Sequence, residues 1–406
     1  MIKDADRWGL VSKNIYNKIF LIIIILCSLS FFELKGIGKA DRIIQLLGVG
    51  LIFFFILLYT IYGERNQFVK LSFANPMYLL FLGIFISTLG CAYFKNQPIH
   101  VTIYQQRHTY FLLFYFLLPY LYPEKEWLIK VVIYMALTAA LVYIAQYFAY
   151  PARITEAKMF VDRGTLRINL PGFPFIYLGF FLAMDYFFRT SKMFYGLVTI
   201  ILLITGLLSG FRSVLALFVG LTCVNLLIGS YVKNRLLIIF VCVILGMAGY
   251  FAFQGIIDEM RTSAERETSQ GEDYIRVKAG YYYLDEMNKN KMSYISGYGE
   301  PSDRSSYGHE TSAVSLSYGY YLSDVGIIGT YYKFGLLFCV TMLFILLKLL
   351  FYRHSTELRF MKFYIIMQLV LITIGFFFSE GGEGAVILSI LLYLTDIERS
   401  KSISHA

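Results

Sequence analysis

Leu207-Leu-Ser-Gly-Phe-Arg-Ser-Val-Leu-Ala216 sets one arginine, Arg212, between two runs that otherwise read as lipid-soluble helix. A guanidinium is a planar fork of donors that suits a phosphate or pyrophosphate bidentately. An arginine costs roughly 2.5–3.5 kcal/mol at the centre of a membrane helix, and much less at a helix end, where it snorkels to water. Ser209, Gly210 and Ser213 leave space around Arg212, so it is either an interfacial anchor or an anion ligand. Arg276, with Lys278 two residues later, is a second candidate of the same chemistry, and a solvated helix face would account for it equally. Arg153, Arg163 and Arg167 form a third basic group, and binding of anionic headgroups is the bland explanation for it. No zinc spacing, Walker loop, dinucleotide fingerprint or histidine-glutamate motif accompanies these residues, so neither a metal nor a nucleotide cofactor is expected.

The elements that must hold these cations are membrane helices. The chain has 406 residues, 58% hydrophobic and 16% charged, with a mean hydropathy of +0.62; soluble domains carry roughly 25% charged residues. Apolar runs near the ~20 residues needed to cross a bilayer recur at about 17–33, 44–62, 76–93, 108–122, 127–149, 172–188, 192–208, 213–231, 236–254, 327–351, 361–378 and 385–396. Runs such as Ile22-Ile-Ile-Ile25 lack the alternation of a barrel strand. The expected fold is an all-α, polytopic membrane protein of about twelve transmembrane helices. A basic start followed by an apolar run without a small-residue cleavage site reads as a retained first helix. The five cysteines fall inside expected spans and read as packing residues.

Lysine and arginine in short loops set orientation. With the N-terminus inside, inner segments hold about eighteen basic residues and the short outer loops about ten, which favours cytoplasmic termini and leaves Arg153, Arg163, Arg167 and Arg212 outside. Three regions follow: a bundle over 1–254, a large external loop over 255–326, and further helices with a short cytoplasmic tail over 327–406. The loop carries twelve acidic and seven basic residues, so the +9 formal charge of the chain resides in the rest of it, at about +14. Tyr274, Val277, Tyr281, Leu284 and Met287 recur at helical spacing, which predicts an amphipathic helix over 273–288. Glycines in Ser296-Gly-Tyr-Gly-Glu-Pro301 supply a tight turn. The tyrosines of this loop are too many for a disordered tether.

In their order along the chain these residues resemble the O-antigen ligase and O-antigen polymerase superfamily. Leu208-Ser-Gly-Phe-Arg-Ser-Val-Leu-Ala216 is similar to the small-residue, serine, arginine signature that opens its core. Arg276 with Ala279, Tyr282 and the Gly297-Tyr-Gly299 turn resembles its loop arginine, aromatic helix and glycine turn. Tyr320-Tyr-Leu-Ser-Asp-Val-Gly-Ile-Ile-Gly329, then Phe334-Gly335, resembles its return into the membrane. The resemblance covers about 195 to 340.

It implies a GT-C-like membrane glycosyltransferase of the bacterial inner membrane that works on the periplasmic face without a metal and with inversion. The implied donor is an undecaprenyl-diphosphate-linked glycan, and the implied acceptor is another glycan repeat unit or the lipid A core. Membrane lipids and a chain-length regulator are the other implied partners, and no nucleic acid is. Arg212 and Arg276 would neutralise the leaving pyrophosphate, since preorganised charge is usually the largest catalytic term. Arg153, Arg163 and Arg167 would line the approach of the donor, with Lys278 beside Arg276. The resemblance also suggests a loop histidine as base. His309 lies about six residues before the place ligases use, where Ser315 stands, and Glu310 and Asp324 are the carboxylate alternatives. That displacement and the Asp324 segment favour a polymerase over a ligase. A flippase or transporter would call for internal repeats and midplane charges, and neither is legible here.

Overall fold

The computed structural model describes residues 2–62, 70–162, 165–228, 269–375 and 381–404, with positions 254, 255, 258, 261, 262 and 265 between them. The described chain is mostly helical. In order come α1 (Ile2–Ser28), α2 (Asp41–Tyr62), α3 (Ala74–Lys95), α4 (Ile99–Gln105), a 3-10 stretch Gln106–Leu113 running into α5 (Phe114–Leu121), and α6 (Lys125–Ala149). A hairpin of β1 (Met159–Asp162) and β2 (Thr165–Ile168) precedes α7 (Phe173–Thr190), α8 (Met193–Leu208) and α9 (Arg212–Ile228). After the undescribed stretch come α10 (Ile275–Asn288), α11 (Ser293–Ser296), α12 (Ser306–Tyr318), α13 (Ile327–Phe351), α14 (Phe360–Leu371) and α15 (Gly382–Ser404).

Continuous apolar sequence forms helices because only a helix satisfies every backbone group within one segment where water is absent. Among the described residues, four helices are long and apolar enough to cross a membrane: Gly38–Tyr62, Ala74–Lys95, Lys125–Ala149 and Ile327–Phe351. Ile15–Ser28, Met193–Leu208 and Arg212–Leu227 are apolar but shorter. The contrast with about twelve expected spans has local causes. The 108–122 run is split between the 3-10 stretch and the short α5, which contains Pro119. α7 carries Asp185 and Arg189, paired at 3.0 Å, and α14 has only 12 residues. The expected 236–254 span lies outside the described residues but for its last position. The all-α expectation also missed the hairpin, which pairs Phe160 with Arg167 and Val161 with Leu166.

Most of the bundle helices share one apolar core, α10 and the docked loop pack in a second cluster and the hairpin in a third, and small residues bring helices close. A Cβ added at Gly179 of α7 would sit 2.3 Å from the Ala136 Cβ of α6. Contacts between connecting segments define two ends of the bundle. At one, the Glu156 N–H donates to the Glu33 carbonyl at 2.7 Å, the Gly172 N–H to Glu383 at 3.4 Å, and the Gln97 amide to the Glu300 carbonyl at 2.9 Å. At the other, Lys18 meets Glu124 at 3.5 Å and Lys125 meets Glu357 at 2.6 Å.

The polar segment after 269 folds onto the first of these ends. Gly335, at φ +75°, interrupts α13 and frees carbonyls of the preceding turn. The Tyr298 and Gly299 N–H groups take the Tyr332 and Lys333 carbonyls, each at 2.8 Å, so the break in one element becomes the dock for another. The amphipathic helix forms as α10, yet its buried stripe is Ala279, Gly280, Tyr283 and Met287. Of the expected stripe, Tyr281 and Val277 are exposed. Burial follows the close approach of Gly280 to Ile328, 3.2 Å from an added Cβ, because backbone proximity outranks side-chain apolarity at this contact.

Candidate functional site

The Leu207–Ala216 stretch folds as a helix corner. α8 ends at Leu208, Gly210 takes φ +71°, and Arg212 opens α9. A left-handed residue closes a helix at least cost when it is glycine, which is why this segment turns instead of continuing. Arg212 is half-buried. Its neighbour Phe211 packs edge-on against Phe173 at 5.8 Å, and the Arg167 guanidinium lies over the Phe211 ring at 5.6 Å. The structure therefore brings Arg167, delivered by β2, to the corner from which Arg212 projects.

The other sequence candidates are distributed around the same end of the bundle. Arg153 is exposed, on a loop pinned by Gln146, whose amide accepts from the Ile154 and Thr155 N–H groups at 2.7 and 2.9 Å and donates to the Ala152 carbonyl at 2.9 Å. Arg163 lies outside the described residues. Arg276 is half-buried on α10, which packs on α13 and on the Leu322–Val325 turn that carries Asp324. α9, with Arg212, packs instead on α7, α8 and α14. Lys278 is held by Asp273 at 2.8 Å; the hydrogen bond and charge of Asp273 raise the ammonium above its ordinary range. His309 is exposed on α12, and its neighbour Glu310 pairs with Lys95 at 3.4 Å. The half-buried Asp324 accepts from the Ser323 hydroxyl at 3.3 Å.

Four residues that sequence reasoning gave no site role converge beside this corner. α1 stops at Ser28, and Ser30, Phe31, Phe32 and Glu33 all take left-handed φ values of 46°, 51°, 58° and 48°. Such a conformation costs roughly 1–2 kcal/mol per non-glycine residue and persists only where surroundings over-determine it. Here the 150s loop does so, through the Glu156 N–H to the Glu33 carbonyl and the Lys35 N–H to the Ile154 carbonyl at 2.9 Å. Burial first, then the charges of Asp41 and Glu383, push the Glu33 carboxyl up to about 7. Asp41 is itself compensated by Arg107 at 4.0 Å, and Glu383 accepts from the Gly172 N–H at 3.4 Å. Arg107 is mostly buried, and its Nε has no hydrogen-bond partner among the described residues.

Gly172 joins the two groups. An added Cβ there would lie 3.7 Å from the Phe32 ring, its N–H reaches Glu383, and the next residue, Phe173, packs on Phe211. Carboxylates and a pair of guanidinium groups thus flank one turn of backbone. That arrangement can hold an anion and exchange a proton at neighbouring places. Glu33 and Asp41 are visible in the sequence as carboxylates between apolar runs, but their meeting with Glu383 is a tertiary event with no local signal. No protein-family model and no curated protein matches the chain.

Proposed function

We propose that the chain is a membrane glycosyltransferase that lengthens a surface polysaccharide from undecaprenyl-diphosphate-linked repeat units. The observation that carries the reading is the corner itself: Arg167 over Phe211 at 5.6 Å, with Arg212 as the next residue in the chain. Two guanidinium groups at the margin of an apolar bundle suit a headgroup that is a diphosphate and a tail that is hydrocarbon. In this reading the helical bundle has a GT-C-like layout, the loop faces the periplasm, and both termini face the cytoplasm. Arg212, Arg276 and Arg167 offset charge on the leaving diphosphate, Arg153 and Arg163 guide the donor, and His309 or a carboxylate serves the acceptor. A separate chain-length regulator and the surrounding lipids are the expected partners. Support comes also from the docked loop, which covers the same end of the bundle and gives the acceptor a folded surface.

The test uses protein purified in lipid nanodiscs with lipid-linked repeat units, with and without a lipid A core acceptor. Lengthening without core is the expected result. Transfer only in the presence of core would make the protein a ligase, and absence of transfer with every lipid diphosphate donor would overturn the reading.

A further inference from the structure

We propose that Glu33 is the catalytic proton acceptor of the transfer, an inference that rests on the donor reading above. Its carboxyl is half-buried beyond the end of α1, fixed by the left-handed Ser30–Glu33 turn and by the Glu156 N–H bond to its own carbonyl. The charged groups that face it come from every element packed around it. They are Asp41 of α2 with Arg107 of the 3-10 stretch, Glu383 at the start of α15, and Glu156 of the 150s loop, whose Cβ lies with the Glu33 carbonyl around Gly38. Asp41 has its cation and Glu383 its backbone donor. Among the described residues the Glu33 carboxyl has neither.

A second observation, independent of the carboxylates, comes from α14. Gln368 of α14 is fully buried, and neither its Nε2 nor its Oε1 has a partner among the described residues. Phe363 packs on Phe181 at 6.3 Å, and Tyr364 lies within electrostatic reach of both Tyr177 and Glu383. Glu357, just before α14, lies within electrostatic reach of Arg189 at the far end of α7, so the two helices run antiparallel, and Gln368 stands one turn beyond Tyr364 along α14. A buried amide without partners is costly unless something polar completes it. A sugar hydroxyl offers the donor and acceptor pair that this amide needs.

The step balances without any further reagent. The acceptor hydroxyl gives its proton to a Glu33 carboxylate oxygen while its oxygen bonds to the anomeric carbon of the donor. The bond from that carbon to the diphosphate oxygen breaks, and the electron pair leaves on the diphosphate, beside Arg167 and Arg212. A carboxyl that titrates near neutrality is suited to take a proton at working pH and release it afterwards, and the value of about 7 for Glu33 meets that condition.

The experiment compares wild type, Glu33→Gln and Glu33→Asp in nanodiscs, measuring transfer across pH 5–9 and, separately, binding of radiolabelled undecaprenyl diphosphate. Expected are a loss of about 10²-fold or more in transfer for Glu33→Gln with unchanged binding, partial recovery in Glu33→Asp, and a wild-type rate that climbs through pH ~7 where the Gln variant is flat. Transfer by Glu33→Gln within about threefold of wild type, well short of the usual general-base effect, overturns the proposal. So does a loss of diphosphate binding that parallels the loss of transfer, which would make Glu33 a structural residue. An inert wild type would instead sink the glycosyltransferase reading, so the two failures are distinguishable.

Discussion

The Gln97 side chain accepts the Ser305 hydroxyl at 2.6 Å across more than two hundred residues of sequence. The same amide accepts the Ser302 N–H at 3.0 Å and donates to the Glu300 carbonyl and the Thr102 hydroxyl, each at 2.9 Å. Gln97 is buried, so this one side chain satisfies the polar groups by which the loop meets α3 and α4. Gln97→Ala leaves buried donors and acceptors unmatched at about 1–3 kcal/mol each. Hydrogen exchange over 297–310 should accelerate while the opposite end, where the Ser72 N–H bonds to Asp396 at 3.1 Å, keeps its protection. Unchanged exchange in the loop would show that the dock on α13 suffices by itself.

Arg212→Ala and Arg276→Ala should each insert normally and slow transfer by about 10²–10³-fold, the usual cost of removing one preorganised charge. Arg212→Lys should recover only part of the loss, since an ammonium cannot make the bidentate contact. Arg167→Ala should weaken undecaprenyl diphosphate binding and act less than additively with Arg212→Ala, because both cations share the Phe211 corner. Full transfer by the first two variants would remove the diphosphate clamp.

Local chemistry made part of this legible in advance. The break between the expected 192–208 and 213–231 spans falls where Gly210 takes φ +71°, and tyrosines such as Tyr283 and Tyr298 pack in a cluster of their own. The phase of α10 was misjudged, since periodicity weighs apolar side chains and the contact that decides it is the backbone of Gly280 against Ile328. Arg167 belongs to a pair of four-residue strands, too short for alternation to stand out in the sequence. Glu33 and Glu383 stand 350 positions apart, and only the folding of α1 against α15 brings them together.

At the opposite end of the bundle, the hydrogen bond and charge of Lys125 hold the Glu357 carboxyl below its ordinary value. A depressed carboxyl contributes stability above its unfolded value near 4.5 and loses it as pH falls through the folded value. Glu357 is 57% exposed, so solvent reduces the effect to less than about 1 kcal/mol. Lys125→Met should therefore lower thermal stability slightly at pH 7 and not at pH 3, with transfer unaffected. A large loss at both values would mean that Lys125 matters through packing at the start of α6.

Glu33 should show the opposite sign. Its carboxyl is raised from 4.5 to about 7, so the unfolded chain gives up this proton at a lower pH than the folded one. Between those values the folded state binds more protons, and stability falls as pH rises. Below pH ~4.5 the group costs nothing; above ~7 it costs at most about 3 kcal/mol, at 1.36 kcal/mol for each unit. Glu33→Gln keeps the shape and removes the charge. Its melting temperature should match wild type at pH 4.5 and exceed it at pH 8, while transfer is lost. A variant that is less stable at pH 8 would reveal a cation that stabilises the carboxylate, and Glu33 would then be an ion-pair partner with no reason to take a proton from an acceptor.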